Sequence, residues 1–171
     1  MSRSSSLARV LILPLMLSVT VLTGCGEGGP SPDVEFGPAI GPTDLTYADE
    51  LGVDLDAMER TDAGVYYRDD VVGDGAVANV GSTIRVHYTG YFPDGTSFDT
   101  SRGTGDGFTV EIGTGNVIPG WDDGVPGMRE GGQRILVVPP QMAYGEAGAG
   151  GVIPPYAVLV FEVELMEVEE E

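Results

Sequence analysis

The sequence contains no lysine. Its only basic side chains are eight Arg, set against 27 Asp and Glu, which leaves a formal charge of −19 over 171 residues. Such an acidic chain is repelled by phosphates, and this argues against nucleic acid as a partner. A single Cys cannot close an internal disulfide, and one His beside one Cys cannot build a zinc site, so no metal is expected. There is no Gly-x-Ser-x-Gly elbow, no paired His and no available Cys nucleophile. Gly113-x-Gly115 lacks the full nucleotide fingerprint and a following βαβ unit, and Asp69, Asp70 and Asp74 lack the spacing of a calcium loop. No cofactor is implied. What remains is enough apolar residue, 42%, for one packed core.

The N-terminus reads as an export signal. Arg3 and Arg9 flank a polar start, and residues 10–22 are apolar except at Pro14, Ser18 and Thr20, too short for the ~20 residues of a stable span. Leu22-Thr23-Gly24-Cys25 then resembles the lipobox of bacterial lipoproteins, whose Cys is lipidated and becomes the new N-terminus. An ordinary secretory signal with a chance Cys is the alternative. Cleavage before Cys25 removes Arg3 and Arg9 and takes the charge from −19 to −21. Such a surface is either simply well solvated or adapted to a salty medium that screens its self-repulsion. The expected location is the cell envelope, with the chain lipid-anchored at the outer membrane, or at the outer leaflet of the plasma membrane in a Gram-positive cell.

The organisation expected is a signal at 1–24, a lipidated Cys and Gly/Pro-rich tether at 25–44, an acidic extension at 45–62, a folded domain at 63–168 and an acidic tail at 169–171. Within the extension, the alternation of Leu51, Val53 and Leu55 predicts a short edge strand. Val65-Tyr66-Tyr67 begins a strand turned by Gly73-Asp74-Gly75. Residues 83–92 alternate, with Ile84, Val86, Tyr88 and Phe92 on one face and Arg85, His87 and Thr89 on the other. Pro93-Asp94-Gly95 is a hairpin turn. Phe108, Val110 and Ile112 repeat the alternation, 134–138 adds a strand, and the last strand points Leu159, Phe161, Val163 and Leu165 inward against Glu162, Glu164 and Glu167. Pro119 opens a short helix whose Trp121, Val125 and Met128 form one apolar stripe, ended by Pro126 and Gly127. The class is α+β, an antiparallel sheet wrapped on one short helix.

Six motifs now stand in order: Val86-His87-Tyr88-Thr89-Gly90, the run from Asp94 through Phe98-Asp99 to Ser101, Val117-Ile118-Pro119-Gly120-Trp121, Ala143-Tyr144-Gly145, Ile153-Pro154-Pro155, and the strand from Leu159 to Leu165. Together they resemble the FKBP family of peptidyl-prolyl cis-trans isomerases, the macrolide-binding rotamases, over residues 64–167. The resemblance implies a twisted half-barrel with a pocket between sheet and helix. It places Trp121 at the pocket floor, Tyr88, Phe108 and Phe161 as walls, and Phe98, Val117 and Ile153 in the lining. It assigns the Ile118 N–H and the Tyr144 hydroxyl to substrate carbonyls, and the Asp99 carboxylate to the pocket, where it contributes to catalysis; alone, Asp99 reads as a turn residue. His87 points away and reads as structural.

The implied activity is rotation of X–Pro bonds in cell-envelope proteins. Twisting an amide breaks its resonance, a barrier of about 18–20 kcal/mol, but makes and breaks no covalent bond. This matches the absence of nucleophile and metal. The alternative is a chaperone-like module that grips proline-containing segments with little turnover. Proline-containing polypeptides are the expected partners, with macrolides as inhibitors, and the chain is expected to be a monomer. Two departures stand out. Thr104 occupies a loop position where many members carry an Arg that would face Asp99, with Arg102 as a candidate substitute. The loop before Ile153 is pliant, with Gly148-Ala149-Gly150-Gly151 followed by Val152 in place of a bulkier aliphatic.

Overall fold

Alternation of apolar and polar residues becomes seven strands in a computed structural model that describes residues 29–31, 34–103 and 105–169. The signal at 1–24, Cys25 and Thr104 lie outside the described residues. The strands are β1 (Glu59–Arg60), β2 (Tyr66–Val71), β3 (Thr83–Tyr91), β4 (Ser97–Thr100), β5 (Phe108–Glu111), β6 (Gln133–Val138) and β7 (Leu159–Glu169), with helix α1 at Pro119–Gly124. They form one antiparallel sheet in the order β1-β2-β6-β7-β3-β4, and β5 also pairs with β3. The α+β architecture expected from the sequence, a twisted sheet around one short helix, is the observed one.

The period-2 pattern of β7 slips once, and the ladder explains it. Arg85 pairs with Glu167 while the next residue, Val86, pairs with Leu165, which leaves Met166 as a bulge. Leu165 and Val168 therefore both point into the core, although they are three residues apart.

Helix α1 has only six residues and cannot hold itself together by its own hydrogen bonds. Pro119 presets its first turn, and Trp121 is buried from it. The helix ends at Gly124, so Val125 and Met128, expected on the same helical stripe, are buried from the turns that follow it. Its far end is held by Arg134 on β6, only 5% exposed. That guanidinium donates to the Gly124 carbonyl at 2.8 Å and to both oxygens of Asp69 at 2.6 and 2.8 Å. It also lies 4.5 Å from the centre of the Tyr67 ring. Asp69 is thereby an ion-pair partner, as Asp70 is for Arg68 at 2.6 Å.

The sheet has a core on each face. On the front, Ile84, Val86, Phe92, Leu136, Leu159 and Leu165 pack against α1. On the back, Ile135, Val137, Val158 and Val160 pack against Leu51 and Met58. The strand expected at 51–55 is absent. Asp49–Leu51 is a single 3-10 turn, closed by Gly52 at φ 58, and the Asp54 carboxylate accepts the Asp56 N–H at 3.2 Å. These turns curl the chain while Leu51 still inserts into the back core. Residues 34–44, read as tether, are likewise docked. The Asp44 carboxylate accepts the Gly41 N–H at 2.8 Å, the Tyr47 hydroxyl donates to the Pro42 carbonyl at 2.8 Å, and Phe36 packs between the two cores. Gly and Pro leave only one 3-10 turn there, at Pro42–Asp44, yet Phe36 and the neighbouring Tyr47 bury enough apolar surface to hold the segment down.

Candidate active site

Trp121 enters the core from the first turn of α1, and four other rings assemble around it. Tyr88 meets the indole at 5.2 Å and 90°, Phe161 at 5.6 Å and 89°, and Phe108 at 6.3 Å and 77°. Phe98 stands edge-on to Phe161 at 5.8 Å and 88°. Rings packed edge to face support one another without filling the space between their faces. The result is a hollow of about 220 Å³ lined by these five rings with Asp99, Asn116, Val117, Ile118 and Tyr144. It is open to solvent, with Phe108 37% and Tyr144 40% exposed. The indole Nε1 is buried with no hydrogen-bond partner among the described residues.

Several residues also bring polar groups to this hollow. Ile118 is the residue that caps α1, so its carbonyl accepts the helix N–H groups of Trp121 and Asp122. Its own N–H makes no hydrogen bond among the described residues, and neither does the Tyr144 hydroxyl. The Tyr88 hydroxyl donates to Asp99 Oδ2 at 2.7 Å. Burial raises the Tyr88 phenol above its ordinary range, and the hydrogen bond to Asp99 and its negative charge raise it further. Burial first, then the Asp99 charge, also raises Tyr144. Both phenols are neutral hydroxyl donors at neutral pH.

Residues 75–166 match the family described as FKBP-type peptidyl-prolyl cis-trans isomerase. The chain belongs to this family. It is an isomerase of that kind. It is 50% identical over 107 residues to the FK506-binding protein of Neisseria meningitidis serogroup B, covering 63% of this chain and 98% of the relative. It is 51% identical over 89 residues to the human peptidyl-prolyl cis-trans isomerase FKBP2, covering 52% and 63%. Among solved structures, AtFKBP13 superposes with a TM-score of 0.60 at 40% identity, covering 66% of this chain and 98% of that one. FkpA from Escherichia coli superposes with a TM-score of 0.62 at 34% identity, covering 71% and 55%.

Nine of the ten residues assigned to the pocket from the sequence line the hollow of this FKBP-type fold. Ile153 does not: it is buried in the front core, its N–H and carbonyl both bonded to Ala149 at 2.9 Å. Arg102 does not take the place of the missing Arg beside Asp99, because it donates instead to Glu164 at 2.7 Å on the other face. His87 lies beside Ser101, 3.4 Å from its hydroxyl.

Three positions escape a reading by residue type. Asn116 lines the hollow. Asp122, on α1, accepts the N–H groups of Gly113 and Gly115 at 2.6 and 2.8 Å and so pins the loop that delivers Val117 and Ile118. The same bonds occupy the amides that an anion would need. Gly90, next to the last residue of β3, leaves room for two rings: a Cβ there would stand 2.5 Å from Phe98 Cζ and 3.1 Å from Phe161 Cε1. A glycine inside an otherwise alternating strand was the available signal.

Proposed function

We propose that the hollow binds a prolyl ring over the Trp121 indole and lowers the barrier to rotation of the preceding amide without covalent chemistry. A planar amide is more polar than a twisted one, so water favours the planar state. A site walled by five rings withholds that advantage. The free Ile118 N–H serves a substrate carbonyl, the Tyr144 hydroxyl a second, and Asp99, held by Tyr88, faces the rotating group. Donors fixed for the twisted geometry lower the barrier further. A reduction of about 4 kcal/mol is a roughly thousandfold acceleration.

One observation carries the reading: an open hollow is lined by Ile118 and Tyr144, whose N–H and hydroxyl bond to nothing among the described residues. Its small volume suits one residue of an extended polypeptide better than an enclosed ligand. The family and the names of the Neisseria relatives support macrolides as competitors for the same hollow. The sequence at Cys25 supports a lipid-anchored envelope protein that acts, as a monomer, on the folding of its neighbours.

Exchange NMR or a protease-coupled assay on a proline tetrapeptide tests the first part. Turnover blocked by a macrolide is the expected result. A rate equal to the uncatalysed one reduces the hollow to a binding site. Mass spectrometry of the membrane fraction tests the anchor: an unmodified N-terminus at any residue other than Cys25 removes it.

A further inference from the structure

The pocket wall is tied to a part of the chain that precedes the family match. The N-terminal segment grips the β3–β4 hairpin at three points. The Ser31 N–H donates to the Asp94 carboxylate, the Ala48 N–H donates to the Pro93 carbonyl at 2.8 Å, and the Phe36 ring packs on Phe92 at 6.3 Å. Phe92 in turn contacts Phe98 at 5.1 Å, and Phe98 meets Phe161, which rests on Trp121. A continuous file of rings thus runs from Phe36 to the pocket floor. Among the described residues β4 pairs only with β3, and it is four residues long. Such a short edge element opens locally at small cost unless something holds it.

We propose that Phe36 is a positioning residue for the isomerase pocket: through Phe92 it sets where Phe98 stands, and thereby which substrates the hollow prefers. Residue 36 lies outside the matched segment 75–166. The inference rests on the pocket reading above. Phe98 forms a wall rather than the floor, so its displacement changes the space beside the prolyl ring more than the ring's seat.

Phe36→Ala in the full chain is compared with Leu51→Ala, which loosens the same segment at the back core, and with Phe36→Leu. Turnover is measured on tetrapeptides that differ only in the residue before proline, alongside the emission of Trp121, the single Trp of the chain. Phe36→Ala is expected to change the ratio of kcat/KM for bulky over small preceding residues about fivefold. It also shifts the Trp121 emission. Leu51→Ala lowers Tm at least as much and moves neither, while Phe36→Leu restores most of the ratio. An unchanged ratio and emission in Phe36→Ala overturns the proposal, and so does an equal change in Leu51→Ala. If the unmutated chain turns over no peptide, the pocket reading falls; the emission then decides the positioning, a shift in Phe36→Ala alone supporting it and no shift ending it.

Discussion

Val160 and Phe161 are adjacent on β7 and face opposite worlds. Val160 is 0% exposed among Leu51, Met58, Ile135 and Val137, on a back face that the N-terminal segment closes. Phe161 is also buried by its neighbours, yet it borders an open hollow. The difference is one of shape. Branched aliphatic side chains interdigitate until no space is left. Rings held near 90° to one another touch at their edges and leave faces uncovered. One sheet thus builds a filled core and a receptive one from side chains of similar hydrophobicity, and only the second can take a substrate.

The strongest way to break this contrast is Trp121→Leu, which puts an aliphatic group where the floor should be. Catalysed exchange should fall about 100-fold in kcat/KM, close to 3 kcal/mol of transition-state stabilisation. Because Trp121 also belongs to the front core, denaturant unfolding should show a loss of about 2–3 kcal/mol with the fold retained. A variant with undiminished turnover would mean that the floor is only core.

The reverse experiment acts on the neighbouring face. Val160→Ala should lower stability by about 1–2 kcal/mol, read from the denaturant midpoint, while kcat/KM of the folded enzyme stays within about twofold. If turnover falls in step with stability, the two faces are coupled through the strand rather than independent.

The front face was legible in the sequence and the back face was not. Strands such as β3 and β7 announce themselves because their outer positions are polar, and the motif residues from Tyr88 to Phe161 fall together because the sheet curls them onto α1. Leu51, Val53 and Leu55 alternate just as a strand does, but burial in a curled segment leaves the same trace as burial in an extended one. Gly and Pro around Phe36 signal irregular backbone, and irregularity says nothing about whether a segment docks. Ile153 and Asp122 show the same limit at the site itself. Which of several apolar residues borders a gap, and which carboxylate pins a loop, depends on distances that only the closed fold sets.

The finest test concerns two hydroxyls. Tyr144→Phe removes an oxygen that bonds to nothing in the described chain, so unfolding should be unchanged within about 0.5 kcal/mol. If that hydroxyl serves a substrate carbonyl, kcat/KM should fall about three- to tenfold. Full activity would release Tyr144 from the mechanism, and lost stability would mean it has an internal partner. The ionisation of the same phenols gives an independent check. Burial and the Asp99 charge raise Tyr144, and burial with the Asp99 bond raises Tyr88, whereas tyrosine in the unfolded chain ionises near pH 10. Below about pH 10 both states keep these protons, and the contribution to stability is complete. Above it the unfolded chain releases protons that the folded chain holds, so stability declines as pH rises toward the folded values. Phenolate absorbance should therefore develop later for these two tyrosines than for an ordinary exposed phenol. Turnover should not decline through loss of their protons at any pH below about 10, and a fall near pH 8 that Tyr144→Phe abolishes would contradict the placement of that hydroxyl beside a buried wall and a carboxylate.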